Sequence, residues 1–245
     1  MFHLLKKIIR GSKASTEDYI KHLKKIGMSI GIDVSIYSPI NTIIDEQYPT
    51  LIHIGNHVRI TEGVKILTHD YSWSVLKNCD EKPFFGSIMG CAKPISIGDN
   101  VFIGMNSIIL GGVSIGDNVI VGAGSVVTKS FGSNVVIAGN PARMICSLND
   151  YYQKRRQLQL KEASDLAVSF YNKFHSRPPK SLFKEFFMLF SDGAIDHCYD
   201  SQLSLGKGKQ SSLDYMRNNK PLFKTFDDFL DYCLKAKEKS NNNEF

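Results

Sequence analysis

Ile97-Gly-Asp-Asn-Val-Phe102 runs without a break into Ile103-Gly-Met-Asn-Ser-Ile108, Ile109-Leu-Gly-Gly-Val-Ser114, Ile115-Gly-Asp-Asn-Val-Ile120, Val121-Gly-Ala-Gly-Ser-Val126 and Val127. An Ile or Val returns at every sixth position, and a small or β-branched residue stands four places after each: Val101, Ser107, Val113, Val119 and Ser125. A period of six is neither the 3.6 of a helix nor the 2.0 of a simple strand. It reads as a solenoid of short parallel strands, with one strand and one turn per repeat. The aliphatic is expected to face a narrow core. The glycine that usually follows it is expected to turn the chain at positive φ. Six successive aliphatics hold register without an insertion, which makes chance a poor explanation.

The register extends backwards less cleanly, through Ile30, Ile36, Thr42, Tyr48, Ile54, Ile60 and Ile66. The departures at 42 and 48 predict irregular corners, with Asn41, Asp45 and Glu46 among them. After Ile66 the register lapses for 31 residues. The interruption opens with Leu67-Thr-His-Asp-Tyr-Ser-Trp73 and also holds Phe84 and Phe85. The coils on either side keep phase, so this insertion must loop out from one corner. A long loop on a regular scaffold is where function concentrates.

The 245 residues allow one or two domains, and the net charge of +6 is too small and too scattered to argue for nucleic acid. Five cysteines without a CxxC spacing argue against a disulfide framework or a zinc site. The expected compartment is therefore the reducing cytoplasm. No apolar run is long enough to span a bilayer. Phe2, Leu4, Leu5, Ile8 and Ile9, flanked by Lys6, Lys7 and Arg10, form a short amphipathic segment. Residues 1–10 either touch the inner face of a membrane or pack on protein. Ser15 is a plausible N-cap for a helix to about Ile26. Past Pro141 the period becomes helical from about Asn149 to Phe174; further helices are expected over Ser181–Phe190 and Pro221–Lys237, with 191–210 as loop. The organisation read from this is an N-terminal helical segment (1–29), a β-solenoid domain (30–146) with residues 70–95 looped out, and a C-terminal helical extension (147–245) that covers the open end of the solenoid.

From Ile30 to Ile145 the chain resembles the hexapeptide-repeat acyltransferases. The closing runs Val121-Gly-Ala-Gly-Ser-Val-Val-Thr-Lys129 and Ala138-Gly-Asn-Pro-Ala-Arg143 resemble the galactoside, maltose and xenobiotic O-acetyltransferase branch. The resemblance implies a mainly β fold, a left-handed parallel β-helix, assembled as a homotrimer with active sites between subunits. It also implies acetyl-CoA as co-substrate; the aromatics of the insertion and the basic N-terminus suit a saccharide or lipid-linked saccharide as acceptor.

His69, at the point where the solenoid is interrupted, occupies the position of the family's catalytic histidine. The chemistry fits, because an acceptor hydroxyl is a poor nucleophile at neutral pH and an imidazole can take its proton during attack on the thioester. No acyl-enzyme is needed, so no Ser or Cys nucleophile is assigned. Positions matching Met105, Ala123, Thr128, Lys129 and Arg143 contact CoA in the resembled branch, with the two cations suited to its phosphates. The pattern departs from the branch at Ser130-Phe-Gly-Ser, at Met105-Asn106 and at Cys146, which puts the phosphate grip in question. Asn41 and Asp45 fall where acceptor-contacting polar residues are expected, and Asp45 could instead orient His69 across a subunit boundary. Trp73, with Tyr71 and Phe84, could stack on a sugar. Histidines 53 and 57 read as surface or interface residues, and no metal cluster is visible. The expected function is acetyl transfer to a saccharide hydroxyl, in surface-polysaccharide biosynthesis. The rivals are N-acetylation of a nucleotide-linked amino sugar or a xenobiotic, and a non-catalytic β-helix scaffold. A carbonic-anhydrase-like trimer would need three histidines around a metal, and the seven here give no clear set.

Overall fold

A computed structural model describes residues 9–191, 197–206 and 208–241. Most of the amphipathic segment read over 1–10 lies outside the described residues. The chain divides into two compact units, Met1–Tyr151 and Tyr152–Phe245.

In the first unit the chain visits three faces in turn. Ser29–Ile30, Ile52–Ile54, Ile95–Ile97 and Ser114–Ile115 stack as one parallel sheet. Ser35–Ile36, Arg59–Ile60, Phe102–Ile103, Ile120–Val121 and Val135–Ala138 form the second, and Ile43–Ile44, Lys65–Leu67, Ile108–Leu110 and Val126–Val127 the third. In the regular half one circuit takes eighteen residues: Ile97 pairs with Ile115, Ile103 with Val121 and Ile109 with Val127. Each aliphatic of the period stacks on its counterpart in the next coil. Ile36, Ile60, Ile103, Val121 and Ile137 form one such column, and none of them touches solvent. A second buried ring lies two places earlier, as in Val34, Val58, Val101 and Val119, while the residue between points out. Each buried aliphatic contributes about 1.5–3 kcal/mol.

The glycines beside these aliphatics serve close packing rather than the expected torsion. Gly55, Gly98 and Gly116 do not have positive φ. A Cβ on Gly55 would stand 2.7 Å from the carbonyl carbon of Gly98, and one on Gly98 2.8 Å from that of Gly116. Positive φ falls two places later, on Asp33, His57, Asn100, Asn118 and Asn134. Asn, Asp and His are the non-glycine residues that enter this region most readily. The Asn100 amide donates to Asn118 Oδ1 at 2.8 Å, and that of Asn118 to Asn134 Oδ1 at 3.0 Å, so the corner is laddered.

The phase between Ile36 and Ile54 differs from the six-residue reading. Ile44, not Thr42, pairs with Ile66 in the third face. Thr42 takes the buried place two residues earlier, and Tyr48 lies outside the strands, ahead of a 3-10 turn at Pro49–Leu51. A turn at residues 39–41 adds two residues to this corner and shifts the strand Ile43–Ile44, and the longer run from there to Ile54 restores the six-residue phase.

Both ends of the solenoid are covered. The helix Thr16–Lys25, capped by Ser15 Oγ accepting from the Asp18 amide at 3.1 Å, packs fully buried Tyr19 and Leu23 into the same core as the coils. At the other end Arg143–Ser147 turns back antiparallel on Val135–Ala138.

The second unit has its own core, built from Ala163 and Ala167 of the helix Leu148–Phe174 with Phe183, Phe187, Phe190, Tyr199 and Phe229. Where one helix was expected over Ser181–Phe190 there are two 3-10 turns, Lys180–Phe183 and Phe187–Leu189. Phe183, Phe187, Leu189 and Phe190 are all buried, a set that one helix would spread over several faces. Within the stretch expected as loop, 191–210, lie a 3-10 turn at His197–Tyr199 and a short helix at Asp200–Leu203; a further helix, Lys209–Asn218, begins at its end, and the last helix spans Phe226–Asn241.

Candidate active site

The insertion leaves and rejoins the solenoid at one corner. His69 bridges Ala92 in antiparallel fashion, and the Lys93 amide donates to Thr68 O at 2.8 Å. The coil beyond comes so close that a Cβ on Gly111 would lie 2.7 Å from Thr68 O. His69 is thus fixed at the rim of the third face, at the root of the loop.

Asp45 lies beneath it. Nδ1 of His69 is 2.6 Å from Asp45 Oδ2, and the carboxylate is 5% exposed against 31% for the imidazole. The same oxygen accepts from the Thr68 amide at 3.1 Å and from the Thr68 hydroxyl, while Oδ1 accepts from the Gln47 amide at 2.9 Å. Burial alone would raise the Asp45 pKa. The hydrogen bonds from the Thr68 hydroxyl, the Gln47 amide, His69 and the Thr68 amide outweigh it and hold the carboxyl below its ordinary range. An ionised Asp45 fixes the proton of His69 on Nδ1 and leaves Nε2 with a free lone pair. Tyr48 packs edge-on against the imidazole, with ring centroids 5.2 Å apart. Asp45 is therefore the partner of His69 within its own chain, neither across a subunit boundary nor open to an acceptor.

A clamp from the N-terminal helix holds the adjoining residue. Glu46 accepts from the Tyr19 hydroxyl at 3.1 Å and lies 2.9 Å from Nε2 of His22. Burial, and then the charge of Glu46, push the Tyr19 pKa well up, so its hydroxyl stays a donor. Lys13 adds a hydrogen bond to Thr42 O at 2.9 Å.

Asn41 stands at the opposite end of the strand Ile43–Ile44 from Asp45, donating to Glu62 Oε1 at 2.6 Å. In the loop, Trp73 stacks edge-on with Tyr71 at 4.7 Å just before the helical turn Ser74–Lys77. Asp70 is taken up by its own turn. It accepts from the hydroxyl and amide of Ser72, which hold its pKa down. Tyr71, Val75, Phe85, Ile88 and Met89 are each more than half exposed, an apolar display unusual for a loop facing only water.

Met105 and Ala123 share the corner between the second and third faces, where the Gly124 amide donates to Met105 O at 2.7 Å. Arg143 lies at that edge too, paired with Ala138, and donates to Ala142 O at 3.0 Å. Thr128 and Lys129 follow the third face at the corner that also carries His69. The five positions thus lie along the two long edges of the third face. Lys129 sits over the Phe131 ring, and neither it nor Arg143 has an acidic partner among the described residues. Among those residues no three His, Cys, Asp or Glu side chains converge as a metal site.

A family model described as the hexapeptide repeat of succinyl-transferase matches residues 94–129. Protein CapG of Staphylococcus aureus is 50% identical over 133 residues, covering 54% of this chain and 73% of that protein. The chain belongs to the hexapeptide-repeat acetyltransferases. The galactoside O-acetyltransferase of Escherichia coli (strain K12) is 38% identical over 134 residues, covering 52% of this chain and 61% of that protein. A solved galactoside acetyltransferase in complex with coenzyme A aligns with a TM-score of 0.41 and 27% identity, over 61% of this chain and 80% of that one. Membership of the hexapeptide-repeat acetyltransferases makes the chain an acyltransferase whose coils form a left-handed parallel β-helix. Sequence reasoning did not find Thr68, Gln47, Tyr48 and the Tyr19–His22–Glu46 clamp. Only the position of Thr68 and Glu46, each adjacent to a candidate, could have pointed to them. No helix among the described residues is long and apolar enough to cross a membrane.

Proposed function

We propose that this acyltransferase moves an acetyl group from acetyl-CoA to a hydroxyl of a saccharide, in surface-polysaccharide biosynthesis, with His69 as general base. The single observation that carries the reading is the 2.6 Å contact between His69 Nδ1 and the buried Asp45 carboxylate, at the root of the only long insertion in the solenoid. Nε2 of His69 takes the acceptor proton as its oxygen attacks the thioester carbonyl. Asp45 stabilises the imidazolium that forms, and His69 returns the proton to the departing thiolate, leaving CoA and the acetyl ester. Lys129 and Arg143, exposed and without acidic partners among the described residues, suit the phosphates of CoA. Met105, Ala123 and Thr128 line the edges along which its pantetheine arm would lie. Similarity to a galactoside O-acetyltransferase supports a sugar hydroxyl as acceptor. The exposed loop side chains and the outward Ile43, Phe102 and Met105 support assembly as a homotrimer, with the loop at a subunit boundary.

The test is calorimetric titration with acetyl-CoA, followed by thiol release with saccharide and amine acceptors. Donor binding retained in His69→Ala but lost in Lys129→Ala/Arg143→Ala, with turnover on saccharides and not amines, is the expected result. A folded protein that binds no acetyl-CoA at about millimolar concentration, the weak end of specific affinities, overturns it.

A further inference from the structure

The second unit holds a groove that the acetyl-transfer chemistry leaves unused. One face of the helix Leu148–Phe174 presents Tyr152, Arg156 and Gln159 at helical spacing. Phe186, just before the second 3-10 turn, Met188 within it, and Tyr215, from the helix Lys209–Asn218, help complete a groove of about 580 Å³. Arg156, Gln159, Met188 and Tyr215 also line an adjoining recess of about 180 Å³ that reaches Lys220. The volume of the groove falls within the range of small-molecule sites, about 300–1,000 Å³.

Its chemistry is specific. The hydroxyls of Tyr152 and Tyr215 meet at 2.9 Å, which braces the two rings against each other. Arg155 is already engaged by Glu162 through two 2.7 Å hydrogen bonds. Arg156 and Lys220 have no acidic partner within ion-pair distance among the described residues. Glu185 is the one acidic side chain among the lining residues, and the recess that holds Arg156 and Lys220 contains none. Groove and recess together thus offer aromatic faces, two amide side chains, Gln159 and Asn219, and two uncompensated cations.

The geometry points to a binding site for an acidic saccharide, with a pyranose face on the aromatic rings, its carboxylate against Arg156 and Lys220, and a hydroxyl on Gln159. A purely apolar ligand would strand the two cations. A phosphodiester polymer would need a longer basic track than two side chains supply. The choice of a sugar over other anions that carry a ring rests on the proposed acceptor class; the anion subsite rests on the groove alone.

The experiment titrates the full chain with trigalacturonate, followed by protein-observed NMR and calorimetry, in parallel with maltotriose, inorganic phosphate and a glutamate-rich peptide. Trigalacturonate is expected to bind, with affinity lowered about tenfold by Arg156→Gln, the size of one charge-assisted contact, and likewise by Tyr215→Ala. It should be unchanged in His69→Ala, with thermal melting verifying that each variant is folded. Maltotriose is expected to bind more weakly. Trigalacturonate binding that is absent to about 10 mM, beyond useful affinity, overturns the proposal. So does binding that is insensitive to both groove variants, or lost in His69→Ala, or matched by the peptide or by phosphate. Failure of acetyl-CoA turnover with binding intact would count against the transfer reading and leave the groove standing.

Discussion

The two halves of the β-helix obey one packing rule and are used differently. From Ile97 to Val127 every inward place is filled by an aliphatic or by a serine bonded to backbone, such as Ser107 to Gly122 O at 3.0 Å. No titratable side chain is buried there. From Ile30 to Thr68 the period slips by two residues, and the same geometry now encloses Thr42, Asp45 and Thr68. Repetition makes a stiff frame, because every coil repeats its neighbour's contacts. A break in repetition places a group on which no stacked neighbour imposes its identity. The slip at residues 39–41 is what brings Asp45 opposite Thr68 and His69 instead of two places away.

The sharpest way to break this comparison is to remove the group that the irregular half supplies. His69→Ala should lower turnover by about 10²–10⁴, read as CoA release, with donor binding kept; a rate near that of the parent protein would reduce the irregular half to scaffold. Asp45→Asn should lower turnover by an amount of similar order, because the amide no longer holds the Nδ1–H tautomer. It also has a pH signature. A carboxyl whose folded pKa is depressed stabilises the fold above its unfolded value, near 3.9, and loses that contribution as pH falls through the folded value. The melting temperature of the parent protein should therefore drop more steeply than that of Asp45→Asn below about pH 4.

The regular half should answer in stability rather than rate. Ile103→Ala, in the fully buried column, should cost about 2–5 kcal/mol by denaturant titration. Gly98→Ala should cost about 1–3 kcal/mol, since its new Cβ meets backbone in the next coil. If Gly98→Ala were neutral, close packing would not be the reason for that glycine column. The smallest effect sharpens the boundary between the halves: Tyr19→Phe removes one hydrogen bond to Glu46, worth about 0.5–1.5 kcal/mol. It should lower kcat several-fold with little change in KM for acetyl-CoA.

The regular coils were legible because their period reports burial directly: Ile97, Ile103 and Ile109 each open a repeat and each stand in a buried column. Asp45 and His69 could each be singled out and even considered as partners, yet their pairing within one chain could not be read. Contact between residues 24 apart depends on how many residues each corner holds, and the eight-residue step from Ile36 to Ile44 was hidden because Thr42 stands at the six-residue place and Ile43 and Ile44 are both apolar. The glycines misled on torsion because sequence does not separate a residue that is small for φ from one that is small for contact. In the second unit, Phe183, Phe187 and Phe190 suit a helix by spacing, but Leu189, buried with them, lies off that face, and one helix could not bury all four together.

The antiparallel strand Arg143–Ser147 has a consequence for the molecule as an object. A stack of identical parallel rungs has no inherent length, since each finished coil is a template for another and the same chemistry that adds a rung could add a second molecule. By reversing direction on Val135–Ala138, the chain ends the parallel stacking of the second face with an antiparallel strand of its own. The helix Thr16–Lys25 closes the first coil with Tyr19 and Leu23. The protein thereby counts its own coils and stops, a finite column instead of the first segment of a fibre.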